Sequence, residues 1–223
     1  MAVAPRWRGR EIGRALFEAL GHRLPLGHRP LSVEVDLADH GSQAVAARWG
    51  AVPYQRSLSL ELDVADGAWR RCLVAPPSDL VIAALRPDSP SQDWHAAFAV
   101  YAAAALDLPD RAGAPAPSYE FFRAQIDHAP GVHVAWRRGT PVGLTGAGPD
   151  GPDRWYVFFT GTLGSARRTG VARALKAAVS QTAAREGVRT LTTSTLDANT
   201  SMLALNASLG YRTTGGVIRM QVG

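Results

Sequence analysis

Residues 167–172 form a turn whose residue types and spacing suit the binding of an anion. The turn lies between a strand-like apolar stretch and a helical pattern, so we expect it to open a helix. The first backbone amides of a helix have no partner inside the helix, and the helix dipole favours negative charge there. Small residues at Gly170 and Ala172 would let a phosphate approach those amides. The pattern is short, however, and it also fits an ordinary strand-to-helix turn.

The same pattern occurs near the start of the chain, because residues 8–16 align with residues 167–175. In both places a helix, a strand, a second helix and a second strand are expected to follow. The first copy predicts a helix that stops near Gly21, a strand over 31–37, a helix capped by Ser42 and ended by Gly50, and a strand over 58–62. The second copy predicts a helix from Val171 to Gly187, a strand over 188–196, a helix between Asn199 and Gly210, and a strand over 218–222. A duplication is the simplest explanation.

The two copies differ in what precedes them. Only seven residues stand before Arg8, whereas about a hundred lead up to Arg167. This upstream region predicts a strand near 70–75, helices near 78–86, 92–106 and 118–128, and strands near 132–138, 141–146 and 154–163; residues 109–117 are expected to be a surface loop. The sequence therefore indicates an α/β chain with an incomplete first unit over 1–66 and a complete second unit over 67–223.

Composition excludes several other classes of protein. The net charge is +5 and the pI is about 10.0, but the basic residues are 23 scattered arginines and one lysine, Lys176. This distribution indicates biased composition rather than a nucleic-acid surface, although it is compatible with attracting a polyphosphate. A single cysteine, Cys72, excludes an internal disulfide and is expected in the core, and the six histidines lack metal-ligand spacing. With no apolar run of ~18 residues and no signal-like start, we expect a cytoplasmic protein without a membrane partner.

Two longer segments resemble signatures of the GNAT acyltransferases. Residues 160–176 resemble that family's motif A, in which a splayed strand is followed by Arg/Gln-x-x-Gly-x-Gly/Ala. Residues 199–211 resemble its Asn-x-x-Met-x-x-x-Asn-x-x-Leu-Gly-Phe signature. The resemblance covers 70–223 well, and it extends over 1–62 because residues 3–13 look like a second motif A. The whole chain is similar to tandem GNAT proteins.

The resemblance implies the GNAT fold, a mixed and mostly antiparallel sheet with a splay between its fourth and fifth strands, flanked by helices. It also implies acetyl-CoA, or another acyl-CoA, as cosubstrate and no metal. Backbone groups of three strand residues would pair with the pantetheine arm, the amides of 167–172 would hold the pyrophosphate, and two asparagines would lie near the far end of the arm. These predicted cofactor-binding residues are Thr160, Gly161, Thr162, Arg167, Arg168, Thr169, Gly170, Val171, Ala172, Asn199 and Asn206. A capping or helix-packing role explains each asparagine nearly as well, and for Asn199 capping is the favoured interpretation.

The first copy departs from the motif at one position. Glu11 stands where the motif has its first glycine. A carboxylate at a pyrophosphate cradle adds bulk and like-charge repulsion, so this turn is expected to bind phosphate poorly. We therefore predict a degenerate first unit and one working site per chain.

The catalytic residues stay unassigned at this level. Acyl transfer to an amine needs a base for the ammonium proton and an acid for the departing thiolate. The family often uses a strand glutamate and a tyrosine four residues before the helix-ending glycine, but residues 155–159 contain no carboxylate and Asn206 occupies the tyrosine position. Asp197, Tyr156 and Tyr211 are candidates that structural roles explain equally well.

Three functions are compatible with these observations. The resemblance favours an acyl-CoA-dependent N-acyltransferase, with acetyl transfer to the amine of a small molecule or peptide. Asn206, Glu11 and the short first unit leave a non-catalytic acyl-CoA-binding or scaffold protein as the alternative. A nucleic-acid partner is the third and is disfavoured. A short first unit also leaves a strand edge uncovered, which favours association, so a homodimer is one expected assembly.

Overall fold

The structure is a computed structural model that describes residues 3–23, 31–107 and 115–222. It contains six helices and eight strands in these residues. The helices are α1 (Ile12–Arg23), α2 (His40–Arg48), α3 (Ser91–Leu106), α4 (Tyr119–Ile126), α5 (Val171–Arg185) and α6 (Thr200–Ser208). The strands are β1 (Leu31–Asp36), β2 (Ala51–Asp63), β3 (Leu80–Ala84), β4 (His133–Arg137), β5 (Thr140–Pro149), β6 (Arg154–Thr162), β7 (Thr190–Leu196) and β8 (Arg212–Val222). Short 3-10 turns occupy Pro5–Trp7, Ala68–Cys72 and Gly164–Ala166.

All eight described strands form one sheet in the order β1-β8-β2-β7-β6-β5-β4-β3. Neighbouring strands are antiparallel except for β6 and β7, which are parallel. Helices cover both faces. Val134 packs in a cluster with residues of α3 and α4, whereas its neighbour Ala135 packs with residues of α5. Because successive strand residues point to opposite faces, α5 lies on the other side of the sheet from α3 and α4. The predicted mixed, mostly antiparallel sheet is confirmed.

Strand β2 runs through the middle of this sheet. It pairs with β7 on one side, where Leu62 lies opposite Leu191, and with β8 on the other, where Leu58 lies opposite Gly216. The alternating Leu60 and Leu62 are buried in the same core cluster as Leu191 and Val179 of α5. Residues near the start of the chain therefore build the core beneath β7.

The second halves of the two sequence copies have matching geometry. Asp39 caps α2 by accepting from an amide three residues ahead, and Asn199 caps α6 in the same way. Each helix is followed by a glycine with positive φ, 82° at Gly50 and 94° at Gly210. The strands also correspond, because β1 pairs with β8 and β7 pairs with β2. Each copy's last strand therefore lies against the first strand of the other copy.

Local sequence signals misplaced several elements. The predicted strand at 70–75 is wrong, since the 3-10 turn Ala68–Cys72 occupies its first half. The predicted helix at 78–86 is also wrong, since Leu80–Ala84 is strand β3 and pairs with β4 over its whole length. This long-range pairing overrides the local helical pattern. Cys72 ends the 3-10 turn as a free, half-buried thiol rather than a fully buried core residue.

Two helix ends of the first copy also differ from expectation. Gly21 lies inside α1, which continues to Arg23. The cap of α2 is Asp39 rather than Ser42, because the Asp39 carboxylate accepts from both the amide (2.9 Å) and the hydroxyl (2.6 Å) of Ser42. A carboxylate can accept both bonds at once, which explains its advantage over the hydroxyl. Of the expected loop at 109–117, residues 109–114 lie outside the described residues. No described helix has the length and apolarity needed to cross a membrane.

A pair of adjacent glycines tests the central position of β2. A Cβ at Gly216 would lie 2.3 Å from the Ser57 carbonyl oxygen and 2.7 Å from Leu37, whereas a Cβ at Gly215 would meet nothing within 4 Å. We expect Gly216→Ala to lower the free energy of unfolding by about 2 kcal/mol, as overpacking does. The matched control Gly215→Ala should change it by less than about 0.5 kcal/mol. Urea unfolding of both variants measures these changes. Equal decreases in the free energy of unfolding would contradict the β2–β8 contact.

Candidate functional site

Strands β6 and β7 diverge after a short parallel pairing. They pair only over Arg154–Tyr156 and Thr190–Thr192. One residue further on, the Thr193 hydroxyl still donates to the Val157 carbonyl at 3.0 Å. Strand β6 stays paired with β5 as far as Thr162. The β7-facing edge of residues 158–162 is therefore left without a strand partner.

A cavity of about 250 Å³ lies in this splay. Its walls come from the diverging parts of β6 and β7, from the start of α6 and from Lys176 of α5. Ser57 of β2 and Arg219 of β8 complete the lining. An extended ligand entering here could pair with the open edge of β6 in the way that an added strand does.

The predicted anion turn connects this edge to α5. After the 3-10 turn Gly164–Ala166, Arg167 is extended, Arg168 has a φ of 60° and Gly170 has a φ of 84°. The Thr169 hydroxyl donates to the Ala166 carbonyl (2.7 Å) and accepts from Arg137 (3.2 Å), which fixes the turn. Alternating backbone conformations of this kind point successive amides at one place, and the dipole of the 15-residue α5 adds positive potential. The turn has the geometry of an anion site.

Gly170 is required for its backbone conformation rather than for space. Its φ of 84° is in the left-handed region, while a Cβ would meet only Pro77 at an ordinary contact distance of 3.5 Å. The neighbouring Val171 side chain is buried against Gly143 of β5, so only the backbone of Val171 faces outward. Residues 167–172 can therefore offer amides, but not all of their side chains, to a ligand.

The charges at the turn are partly compensated. The Arg167 guanidinium forms an ion pair with Asp107 at the end of α3. Arg137 approaches Asp79 at 3.1 Å while it donates to the turn. Arg168 is exposed. The turn remains net basic, and it is tied to α3 and β4.

The predicted strand residues lie between the cavity and the turn. Thr160 lines the cavity, and its hydroxyl shares a 2.9 Å hydrogen bond with that of Thr145. Gly161 and Thr162 continue β6 toward the turn. A Cβ at Gly161 would lie 2.7 Å from Ala104 of α3, so close packing explains this glycine.

The two predicted asparagines have different surroundings. Asn199 lines the cavity, but its side-chain oxygen caps α6 by accepting from the Met202 amide at 3.1 Å, so the predicted capping role is confirmed. Asn206 is fully buried, and its amide donates to the Thr195 hydroxyl at 3.4 Å. The structure brings Asn199 to the cavity, whereas Asn206 is not among the described residues that line it.

The catalytic candidates from the sequence do not converge. Asp197 is exposed beside Arg56 and is outside the cavity lining. Tyr156 lines the cavity, and burial raises the pKa of its hydroxyl. Tyr211 is buried, and burial raises the pKa of its hydroxyl more strongly. Neither tyrosine is poised to exchange a proton near neutral pH.

Sequence reasoning missed Lys176 as a site residue. It is only 2% exposed, yet it lines the cavity. Its ammonium lies 4.9 Å from the ring centroid of Tyr211, and burial lowers its pKa to about 8. The sequence offered one signal for this residue: the chain has 23 arginines and a single lysine. An arginine could not replace lysine as a group that gains and loses a proton.

The first-copy turn has the same backbone as the second. Arg8 and Arg167 are both extended, with φ/ψ of −67°/157° and −65°/147°. Glu11 adopts a positive φ of 58°, as Gly170 does, and its exposed carboxylate lies 3.9 Å from Arg14. A separate cavity of about 890 Å³ lies between α1, β1 and α2. The turn shape is thus present in the first copy with a carboxylate at its centre.

Comparison with known proteins gives a consistent result. The family model of the acetyltransferase (GNAT) family matches residues 95–211. A GCN5-related N-acetyltransferase from Sphaerobacter thermophilus has a TM-score of 0.75 at 17% identity, covering 98% of this chain and 70% of that one. A tandem GNAT protein from the clavulanic acid biosynthesis pathway has a TM-score of 0.73 at 21% identity, covering 99% and 72%. A GCN5-related N-acetyltransferase from Kribbella flavida has a TM-score of 0.60 at 20% identity, covering 94% and 72%. A search of curated proteins found no match.

The splayed sheet and the glycine-containing turn at the start of α5 agree with the family match, which covers more than half of the chain. The chain belongs to the GNAT family. This family in general transfers an acyl group from acetyl-CoA to an amine. Among the described residues, no cluster of His, Cys, Asp and Glu could hold a metal ion.

His133 gives the region beneath α5 a pH-dependent stability. It is buried on β4, its Nε2 lies 3.1 Å from the Thr182 hydroxyl, and burial lowers its pKa to about 4. Because the unfolded state binds the proton more readily between pH 6.5 and pH 4, stability is full near pH 7 and falls as the pH is lowered. When the pH is lowered from 7 to 4.5, we expect the unfolding free energy of wild type to fall by about 2 kcal/mol more than that of His133→Gln.

Urea unfolding of wild type and variant at the two pH values measures this difference. The control is His40→Gln, which changes an exposed histidine at the start of α2. It should leave the acid sensitivity of the wild type unchanged. A His133→Gln protein that loses as much stability in acid as wild type would show that another group is responsible.

Proposed function

We propose that this protein is an acyl-CoA-dependent N-acyltransferase that transfers an acetyl group from acetyl-CoA to the amine of a small molecule or peptide. The observation that carries the proposal is the continuity of the open β6 edge, Thr160–Thr162, with the anion turn at the start of α5. An extended arm with a pyrophosphate at one end has the shape and chemistry that this path requires.

In this proposal each part of the donor has its own residues. The backbone of Thr160, Gly161 and Thr162 pairs with the pantetheine arm. The amides of residues 167–172 hold the pyrophosphate, with Arg168 free to add charge. The thioester lies in the splay cavity near Asn199, whose side-chain NH2 remains to donate because only its oxygen is used by the cap. Asn206 would act on the arm indirectly, through Thr195.

We further propose that residues 1–66 are a partial, degenerate GNAT lobe and residues 67–223 a complete GNAT domain. Matching turn backbones at Glu11 and Gly170 support this division, as do the matching caps. The carboxylate of Glu11 disfavours a phosphate in the first turn. The chain would therefore have one working donor site.

A reciprocal pair of substitutions tests the donor site. Gly170→Glu puts into the second turn the residue that the first turn already holds at φ 58°, so the backbone can accommodate it. We expect it to weaken acetyl-CoA binding at least tenfold, about 1.4 kcal/mol, through like-charge repulsion. Titration calorimetry with acetyl-CoA measures the affinity and should find one site per wild-type chain.

The matched control is Glu11→Gly, which should leave the affinity at the second turn unchanged. Gly170→Glu binding as tightly as wild type would exclude this turn as the pyrophosphate site. Two sites per wild-type chain would contradict the degenerate first lobe.

A non-catalytic acyl-CoA-binding or scaffold protein is the second candidate. Two observations favour it: the cavity lining contains no Asp or Glu among its described residues, and Asn206 stands at the family's tyrosine position. Release of free thiol from acetyl-CoA, measured across a panel of amino sugars, polyamines and free-amino-terminal peptides, separates the two candidates. Binding without thiol release across this panel would favour the scaffold.

We also propose that the chain forms a homodimer through its first lobe. Among the described strands, β1 pairs only with β8, so its other edge is open. Val33 of β1 and Ile12 and Leu20 of α1 are exposed apolar side chains that line the cavity between α1 and β1. We expect light scattering to give twice the mass of the chain, and Val33→Lys to shift it to the monomer mass. A monomeric wild type at concentrations of tens of micromolar would contradict the proposal.

A further inference from the structure

Lys176 combines burial with access to the proposed site of the thioester. It lies in the second turn of α5, immediately after the buried Leu175, and its side chain reaches the floor of the splay cavity. The same cavity is bounded by Thr160, where the open edge of β6 begins. Under the proposed function, Lys176 therefore borders the space that an acyl group and an attacking amine would share.

No carboxylate in the part of the chain that the structure describes compensates the ammonium of Lys176. Among the described residues, none that lines the cavity is acidic, and none forms an ion pair with Lys176. Its charged form is supported by the face of the Tyr211 ring at 4.9 Å. A buried charge with so little support is costly, and burial lowers the pKa to about 8. The amine can therefore exchange a proton close to neutral pH.

The other titratable or charged groups around the cavity do not compete with Lys176 as a proton donor or acceptor. Tyr156 on β6 and Tyr211 after α6 both have pKa values raised by burial. Arg219 on β8 is bonded to Glu34 and Gln55. Arg173, one turn earlier on α5, donates to the Cys72 carbonyl and the Ser208 hydroxyl.

We propose that Lys176 is the catalytic proton-transfer residue of the acyl transfer, acting as both base and acid. This inference rests on the proposed function. Neutral Lys176 takes the proton from the acceptor ammonium, and the freed amine attacks the thioester carbonyl to form the new C–N bond. As the C–S bond breaks, the Lys176 ammonium gives its proton to the departing thiolate. The second proton of the attacking nitrogen passes to the neutral lysine and then to solvent, so the products are amide, free thiol and one proton.

One group can do both because its ammonium and amine forms are both populated near pH 8. This accounts for a splay that has neither a strand glutamate nor a tyrosine at position 206. A purely structural role is the competing explanation, in which Lys176 clamps α5 to Tyr211 through its charge.

The variants Lys176→Arg and Lys176→Met separate the two roles. Arginine keeps a cation over the Tyr211 ring but cannot release its proton in proteins. A catalytic role therefore predicts that kcat falls at least about 100-fold in both variants, as the loss of general acid–base catalysis does. Acetyl-CoA affinity by calorimetry should stay within twofold of wild type, which also shows that the variants fold. Removal of an uncompensated buried charge predicts that Lys176→Met melts no lower than wild type.

The pH profile of kcat/KM gives a readout that a structural role would not move. Two amines of the panel that wild type acylates and that differ in their own pKa are each followed by thiol release. In wild type the rising limb should lie near pH 8 for both amines, because it reports Lys176. In Lys176→Arg the rising limb should follow the pKa of each amine.

The outcomes are distinguishable. The catalytic role of Lys176 is overturned if Lys176→Arg has a kcat within threefold of wild type. It is also overturned if the rising limb of the wild-type pH profile moves with the pKa of the acceptor amine. Neither result contradicts the proposed acyltransferase function. A Lys176→Met protein that melts lower and loses acetyl-CoA affinity indicates the clamp and also overturns it. Wild type that binds acetyl-CoA but releases no thiol with any amine overturns both the proposed function and this inference.

Discussion

The site depends on one constraint: β6 and β7 are each paired along their length with a different neighbouring strand. Strand β6 is held by β5 as far as Thr162, and β7 is held by β2 as far as Leu196. Because each strand follows its own neighbour, their mutual pairing lasts for only three residue pairs. The open edge, the cavity and the approach to the anion turn are all consequences of this divergence. The turn then only has to present the amides at the start of α5 to complete the path.

The segment before residue 67 is part of this arrangement. Strand β2 supplies the antiparallel partner that draws β7 away from β6, and Leu60 and Leu62 fill the core beneath it. The turn of the first copy carries the Glu11 carboxylate, and the last strand of that copy shapes the other half of the splay. The first copy therefore contributes to the geometry of the second.

The sequence predicted the features that depend only on residues close together along the chain. The turn at residues 167–172, the Asn199 cap and helices α3 and α4 are each determined by residues a few positions apart, and the structure has them where they were expected. Strand β3 was mistaken for a helix because its identity comes from pairing with β4, about fifty residues away. The fold class followed from two motifs at family spacing rather than from periodicity.

Lys176 could not be identified from spacing. On the helix it occupies a position next to Leu175, where a sequence pattern predicts only that one side chain faces inward. Its access to the cavity depends on how far β6 and β7 separate, which in turn depends on β2 from a remote part of the chain. Its lowered pKa comes from burial, and that burial depends on packing between residues far apart in the sequence.

The last strand of each sequence copy pairs with the first strand of the other copy, and this pairing affects how the chain folds during synthesis. Strand β1 pairs with residues 217–222 and β2 with residues beyond 190. As the chain leaves the ribosome, residues 31–63 have no strand partner among the described residues until residues 190–222 have been made. The alternating leucines of β2 stay uncovered during that interval, which lengthens the search for long-range contacts and exposes a surface prone to aggregation. Residues 31–63 are therefore exposed to association until β7 and β8 have been synthesised.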